Sequence, residues 1–151
     1  MDISCDSKPK LSERRIAHYF ELARNACYYS DCKRTRLGCI AIYKNKILSV
    51  GWNQEKTAPM QKELNKMRDF DPNASDVKNT LHAEVNCLMK IKDMDVDWGK
   101  VNLFVYRIKK DDKSGMARPC NGCMSLIRSL GIRNIFYSTD NGWAYERIDS
   151  E

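Results

Sequence analysis

Val101-Asn102-Leu103-Phe104-Val105-Tyr106 is a short apolar run, and after it the stretch from Cys120 to Leu130 leads into a second one, Ile132-Arg133-Asn134-Ile135-Phe136-Tyr137. Runs of this length and composition read as strands. The stretch between them is amphipathic at helical spacing, and Gly131 stands at the usual helix-stop position. Strand, helix and strand in succession place this part of the chain in the α/β class.

Working outward, Asn141-Gly142 is a hairpin signal, so Trp143 to Ile148 reads as a short strand antiparallel to Ile132–Tyr137. Upstream, Leu81 to Lys92 reads as a helix with Thr80 as its cap and Val85, Leu88 and Met89 on one face. Gly38 to Tyr43 and Ile47 to Trp52 read as a hairpin around Lys44-Asn45-Lys46. Ser12 caps an expected helix from Glu13 to Cys27, with Leu11 and Ile16 as a hydrophobic staple and Ile16, Phe20, Ala23 and Cys27 facing a core. Gln54 to Asn79 is a long polar segment with a short helix expected around Met60–Met67, and Ile108 to Arg118 is a charged loop. A connection as long as the first points to function. The pattern α-β-β-α-β-α-β-β implies a mixed sheet covered by helices, in a single domain over residues 1–151.

Composition narrows the class. Apolar residues make up 42% and charged residues 30%, as in ordinary globular proteins. No apolar run is long enough for a membrane span, and Met1 to Asp6 lacks the features of a signal peptide, so a cytoplasmic location is expected. Seven cysteines, an odd count without an export signal, argue for metal ligation or buried packing over a disulfide framework. The net charge of +6, from 26 Lys+Arg against 20 Asp+Glu, suits either an anionic partner or simply a basic surface.

The chemistry concentrates in His82-Ala83-Glu84 and Pro119-Cys120-Asn121-Gly122-Cys123. Each is weak alone: a His near a helix start is usually structural, and a lone C-x-x-C fits a redox pair or half of a structural zinc site. Together, one imidazole and two thiolates give Zn2+ three protein ligands and leave the fourth tetrahedral position for water, which distinguishes a catalytic site from a closed one. Zinc lowers the pKa of such a water to about 7. Glu84 is then placed to take the water proton and deliver it to the substrate nitrogen and the leaving amine. The combination H-x-E…P-C-x-x-C is the signature of zinc deaminases. Cys39 and Cys87 lie in apolar stretches and read as packing. His18 reads as structural or solvent-facing, Cys5 as exposed, and a second metal site from Cys27 and Cys32 lacks a His partner.

From about Ala23 to Ile148 the chain resembles the cytidine/deoxycytidylate deaminase superfamily. His82-Ala83-Glu84 matches its first zinc motif and Pro119-Cys120-Asn121-Gly122-Cys123 its second. Leu37 to Ile42 is similar to its first strand and Ser49-Val50-Gly51-Trp52-Asn53 to the end of its second. The resemblance implies a three-layer α/β/α sandwich with a five-stranded mixed sheet in the order 2-1-3-4-5, and assembly as a homo-oligomer. It also implies that Asn53 touches the substrate sugar, against the alternative that an Asn ending a strand serves turn chemistry. It would place the Ala83 amide and the Pro119 carbonyl near the base. The Ile108–Arg118 loop departs from the short Thr-rich connection of family members that act on nucleotides or tRNA, while Lys56-Thr57-Ala58-Pro59 is similar to the loop by which deoxycytidylate-type enzymes approach phosphate.

Three functions are therefore open. The first is hydrolytic deamination of cytosine on a small nucleoside or nucleotide, deoxycytidylate or cytidine. The second is a deaminase of single-stranded DNA or RNA, for which Tyr28, Tyr29, Lys33, Arg34 and Arg36, with Arg107, Lys109, Lys110, Lys113 and Arg118, would line a groove. The third is a zinc-stabilised binding module without catalysis.

Overall fold

The structure is a computed structural model and describes residues 9–57, 59–65 and 80–148. The first helix, α1 (Glu13–Cys27), starts where the sequence places it, with the Ser12 side chain accepting a hydrogen bond from the Arg15 amide at 3.2 Å. Strands β1 (Thr35–Tyr43) and β2 (Lys46–Trp52) form the expected hairpin. Its turn is the pair Lys44 and Asn45, both with positive φ (50° and 64°), the backbone that matches strand twist in a two-residue turn.

Beyond β2 come β3 (Gln54–Thr57), α2 (Pro59–Asn65), β4 (Thr80–Leu81) and α3 (Ala83–Met89). Here the structure corrects the sequence reading. Leu81 pairs with Gln54 in a small β3–β4 ladder, so Thr80 is strand and the helix cap is His82. Backbone pairing to a partner far along the chain overrides a local capping preference. The rest of the 66–79 stretch, and Cys5, lie outside the described residues.

The second half runs β5 (Asn102–Lys109), β6 (Ser114–Gly115), α4 (Asn121–Leu130), β7 (Asn134–Thr139) and β8 (Gly142–Arg147). The charged segment expected as a loop is largely a hairpin: Arg107 pairs with Gly115 and Ile108 with Ser114 across β5 and β6. Its buried apolar residues are only Ile108 and Ala117, each 2% exposed, too sparse a signal among lysines and aspartates to read as a strand. Gly131 ends α4 with φ of 96°, a conformation glycine adopts without a Cβ clash.

The main sheet has the order β2-β1-β5-β7-β8, with β6 as a short addition beside β5. Dropping the small strands, this is the expected 2-1-3-4-5. The β5–β7 pair is parallel, with α4 as its crossover, and the other neighbours are antiparallel. Alternation along the strands divides the core in two. On one face Ile40, Ile42, Phe104 and Phe136 pack under Ile16, Phe20 and Ala23 of α1. On the other, Cys39, Ala41, Leu103, Val105 and Ile135 pack under Ala83, Cys87, Leu88, Met124 and Ile127 of α3 and α4. This makes three layers. A Cβ on Gly51 would run into the Cys87 amide and the Ala83 carbonyl, so the glycine lets α3 lie directly on β2. No helix among the described residues is long and apolar enough to cross a membrane.

Candidate metal and catalytic centre

Two helix starts meet on the α3/α4 face. His82 is the N-cap of α3 and Cys120 the N-cap of α4, yet neither side chain makes a cap hydrogen bond. Both are turned towards each other instead. His82 Nδ1 lies 3.7 Å from Cys120 Sγ and 3.4 Å from Cys123 Sγ, and the three ligand atoms all fall within 4.8 Å of one another. A tetrahedral zinc with bonds of about 2.3 Å to sulfur and 2.0–2.1 Å to nitrogen needs ligand atoms about 3.5–3.8 Å apart. The side chains present therefore fit the ion. Cys123 is fully buried, whereas His82 and Cys120 are half-buried, so the site opens on their side.

Electrostatics favour the ligand forms. A hydrogen bond from Cys123 holds the Cys120 thiol down to about 3; burial opposes this and the His82 interaction adds to it. Glu84, in the first turn of α3, is 4% exposed. Burial pushes its carboxyl above the usual carboxylate range, partly offset by His82, by a backbone hydrogen bond and by Cys123. A buried carboxyl with a raised pKa, touching a ligand sulfur, is equipped to hold a proton and release it.

The other cysteines behave as packing. Cys39 and Cys87 are fully buried neighbours, and burial pushes the Cys39 thiol well up. Cys27 donates to the carbonyls of Ala23 and Tyr106, and burial pushes its thiol up to about 12. Neither it nor Cys32 belongs to the metal-ligating group found among the described residues. His18 is exposed on α1, its ring beside Tyr19.

Asn53 follows β2 directly, and its neighbour Gln54 pairs with Leu81, the residue before His82. Its amide is fastened to β1: Oδ1 accepts from the Leu37 amide at 2.9 Å and Nδ2 donates to the Thr35 carbonyl at 3.0 Å. A primary amide has two N–H groups, so this leaves a second donor with a fixed direction. Ala83 opens α3 and Pro119 precedes Cys120, both buried.

One contributor was not legible in sequence. Gln61 of α2 is fully buried, and its Oε1 accepts from the His82 amide at 3.1 Å. α2 reaches this place because Gly122, inside the C-x-x-C, has no Cβ to strike the Leu64 carbonyl. A glutamine in a polar stretch carries no local mark of such a role. Replacing it by Met would remove the acceptor that Gln61 gives the His82 amide, costing about 1–3 kcal/mol. Gln61→Met is expected to lower both the unfolding midpoint and the metal affinity, measured by denaturation and by competition with a chelator; unchanged metal affinity would remove Gln61 from the site.

Three side chains that could hold a metal ion stand beside a buried acid on an α/β sandwich, a donor set of the kind that leaves a fourth tetrahedral position open. The family described as the cytidine and deoxycytidylate deaminase zinc-binding region matches residues 13–139, and the chain belongs to it. A probable deoxycytidylate deaminase of Drosophila melanogaster is 25% identical over 113 residues, covering 70% of this chain and 50% of that protein. The chain thus spans about half the length of this relative. The crystal structure of dCMP deaminase from the cyanophage S-TIM5 in apo form matches with a TM-score of 0.60 at 25% identity, over 85% of this chain and 86% of that one. The same enzyme in complex with dCMP and dUMP matches equally in fold at 24% identity, over 85% and 84%. A cytidine deaminase from Burkholderia pseudomallei, 13% identical, shares the fold with a TM-score of 0.56 over 91% of this chain and 93% of its own.

Proposed function

We propose that this protein is a zinc-dependent deaminase that hydrolyses the amino group from cytosine on a small nucleoside or nucleotide, deoxycytidylate before cytidine, giving the uracil product and ammonia. The observation that carries this reading is the convergence of His82, Cys120 and Cys123 with the buried Glu84 in contact with Cys123. The similarity to proteins named as deoxycytidylate deaminases supports the choice of substrate.

His82, Cys120 and Cys123 would hold the zinc, which when bound supplies the Lewis acidity that makes a water nucleophilic near neutral pH. Glu84 moves two protons in turn: its carboxylate takes one from the attacking water and gives it to the ring nitrogen, then takes the second from the hydroxyl now on the ring carbon and gives it to the amine as the C–N bond breaks and ammonia leaves. Its seclusion keeps the proton from exchanging with bulk solvent between those transfers. Asn53 offers its remaining N–H to the sugar, and the Ala83 amide and Pro119 carbonyl read the edge of the base. Ligand and proton carrier are two residues apart at the start of one helix, so their spacing is fixed by backbone.

The test is ammonia release from cytidine, deoxycytidine, CMP, dCMP and dCTP by zinc-loaded protein, with a cytosine-containing oligonucleotide alongside. dCMP is expected to have the highest kcat/KM. Turnover of the oligonucleotide alone would overturn the small-substrate reading, and no ammonia from any of them would overturn the enzyme.

A further inference from the structure

We propose that the cleft between the 33–36 segment and the turn joining β5 to β6, lined by none of the metal-ligating residues, is a phosphate-binding site for the phosphate groups of a nucleotide or of a single nucleic-acid strand. This goes beyond the deaminase reading and does not depend on it.

The antiparallel register pairs Thr35 with Lys109 and Arg36 with Ile108, which brings two basic segments together at one end of the sheet. Lys33, Arg34 and Arg36 line one side of the cleft, and Lys109 and Lys110 the other; Asp112 is the carboxylate among them. Lys109 reaches a further carboxylate, Asp140, at 3.6 Å on the exposed rim. Among the described residues Lys33, Arg34, Arg36 and Lys110 form no ion pair. Asp111 forms no ion pair with them; its carboxylate accepts from the Lys113 amide within its own turn at 3.1 Å.

Arg118, nearer the metal centre, differs from them. Arg118 is gripped by Glu146 through two hydrogen bonds of 2.7 and 3.2 Å. Converging cations repel unless an anion sits among them, and guanidinium groups offer phosphate oxygens paired donors. The cleft holds about 50 Å³, room for a group a few waters in size and not for a nucleobase. One cation on each side, Arg36 and Lys109, belongs to the β1–β5 ladder, which fixes their backbones relative to each other.

The test is equilibrium binding of two probes that carry no cytosine and cannot be deaminated: inorganic pyrophosphate and a short thymidine oligonucleotide. The wild type is expected to bind at least one, with an affinity that falls as salt rises, by a log–log slope of about −0.7 per phosphate contacted in a single strand. The double variant Lys33→Gln/Arg34→Gln should weaken binding by about tenfold or more and flatten the salt slope. Asp112→Asn should tighten it. Lys46→Gln/Lys92→Gln removes the same charge from exposed positions outside the cleft and should change little. An oligonucleotide that pyrophosphate displaces identifies a strand as the source of the phosphate; binding of pyrophosphate alone identifies a free nucleotide. The proposal is overturned if neither probe binds, or if the cleft variant weakens binding no more than the control.

Discussion

Replacing Glu84 by Gln is expected to lower kcat by about 10²–10⁴-fold, the range that a positioned general acid–base group contributes. Zinc content should be unchanged, because Glu84 is not among the three residues placed to hold a metal, His82, Cys120 and Cys123. The same variant should be more stable than the wild type at neutral pH in its metal-free form. The sign follows from the environment of the carboxyl. Burial raises its pKa in the folded state, so the fold holds the neutral acid more tightly than the unfolded chain does. The stability this group contributes is fully present below the ordinary carboxylate pKa. It is lost as pH rises through the folded value, leaving a desolvated charge. The neutral amide introduced by Glu84→Gln carries no such charge. The gap between variant and wild type should therefore widen from acid to neutral pH. Ammonia release by Glu84→Gln at the wild-type rate would remove Glu84 from the chemistry, whatever its effect on stability.

The second large effect is expected at Cys123. Cys123→Ala removes a fully buried thiol of the candidate metal group that also packs against Leu81 and Val85. Metal content should fall well below one ion per chain and deamination should drop to background. The wild type should gain about 4 kcal/mol of apparent stability when free zinc is a thousandfold above its Kd, and the variant should lose that response. Cys39→Ala is the matched comparison. Cys39 is equally buried but outside the ligand group, so it should lose stability through its cavity and keep its zinc. Retention of stoichiometric zinc by Cys123→Ala, with an intact thermal response to the metal, would show that the centre is built from other groups.

The grouping of His82, Cys120 and Cys123 was legible in sequence because its constraints are local. Two sulfurs at C-x-x-C spacing on one helix start reach a common point whatever surrounds them. His82 and Glu84 are likewise fixed relative to each other by the first residues of one helix. The elements around them were legible for a similar reason: α1 and α4 carry strong helical periodicity with local caps at Ser12 and Gly131. The readings that failed rest on pairing. Thr80 has the chemistry of a helix cap, but the β3–β4 ladder claims it, and the cap passes to a histidine that does not cap. The segment from Ile108 to Arg118 is too charged to show its alternation, and becomes a strand pair because β5 already offers an edge.

Asn53 shows the division at a single residue. Its position after β2 is plain from sequence, but its two hydrogen bonds to Leu37 and Thr35 arise only once β1 lies alongside. Gln61 and the basic cleft belong wholly to the assembled chain. By itself the sequence determined the class of fold, the main helices and strands and the grouping of His82, Cys120 and Cys123 with Glu84 beside them, since periodicity and short spacings survive without tertiary context, while the strand order followed from the family resemblance. The tertiary structure alone decided that His82 is held by Gln61 across α2, that Arg118 is neutralised by Glu146, and that Lys33 and Arg34 face Lys110. Those contacts join residues far apart in the chain, and only the register of the sheet and the packing of helices on it bring them within reach.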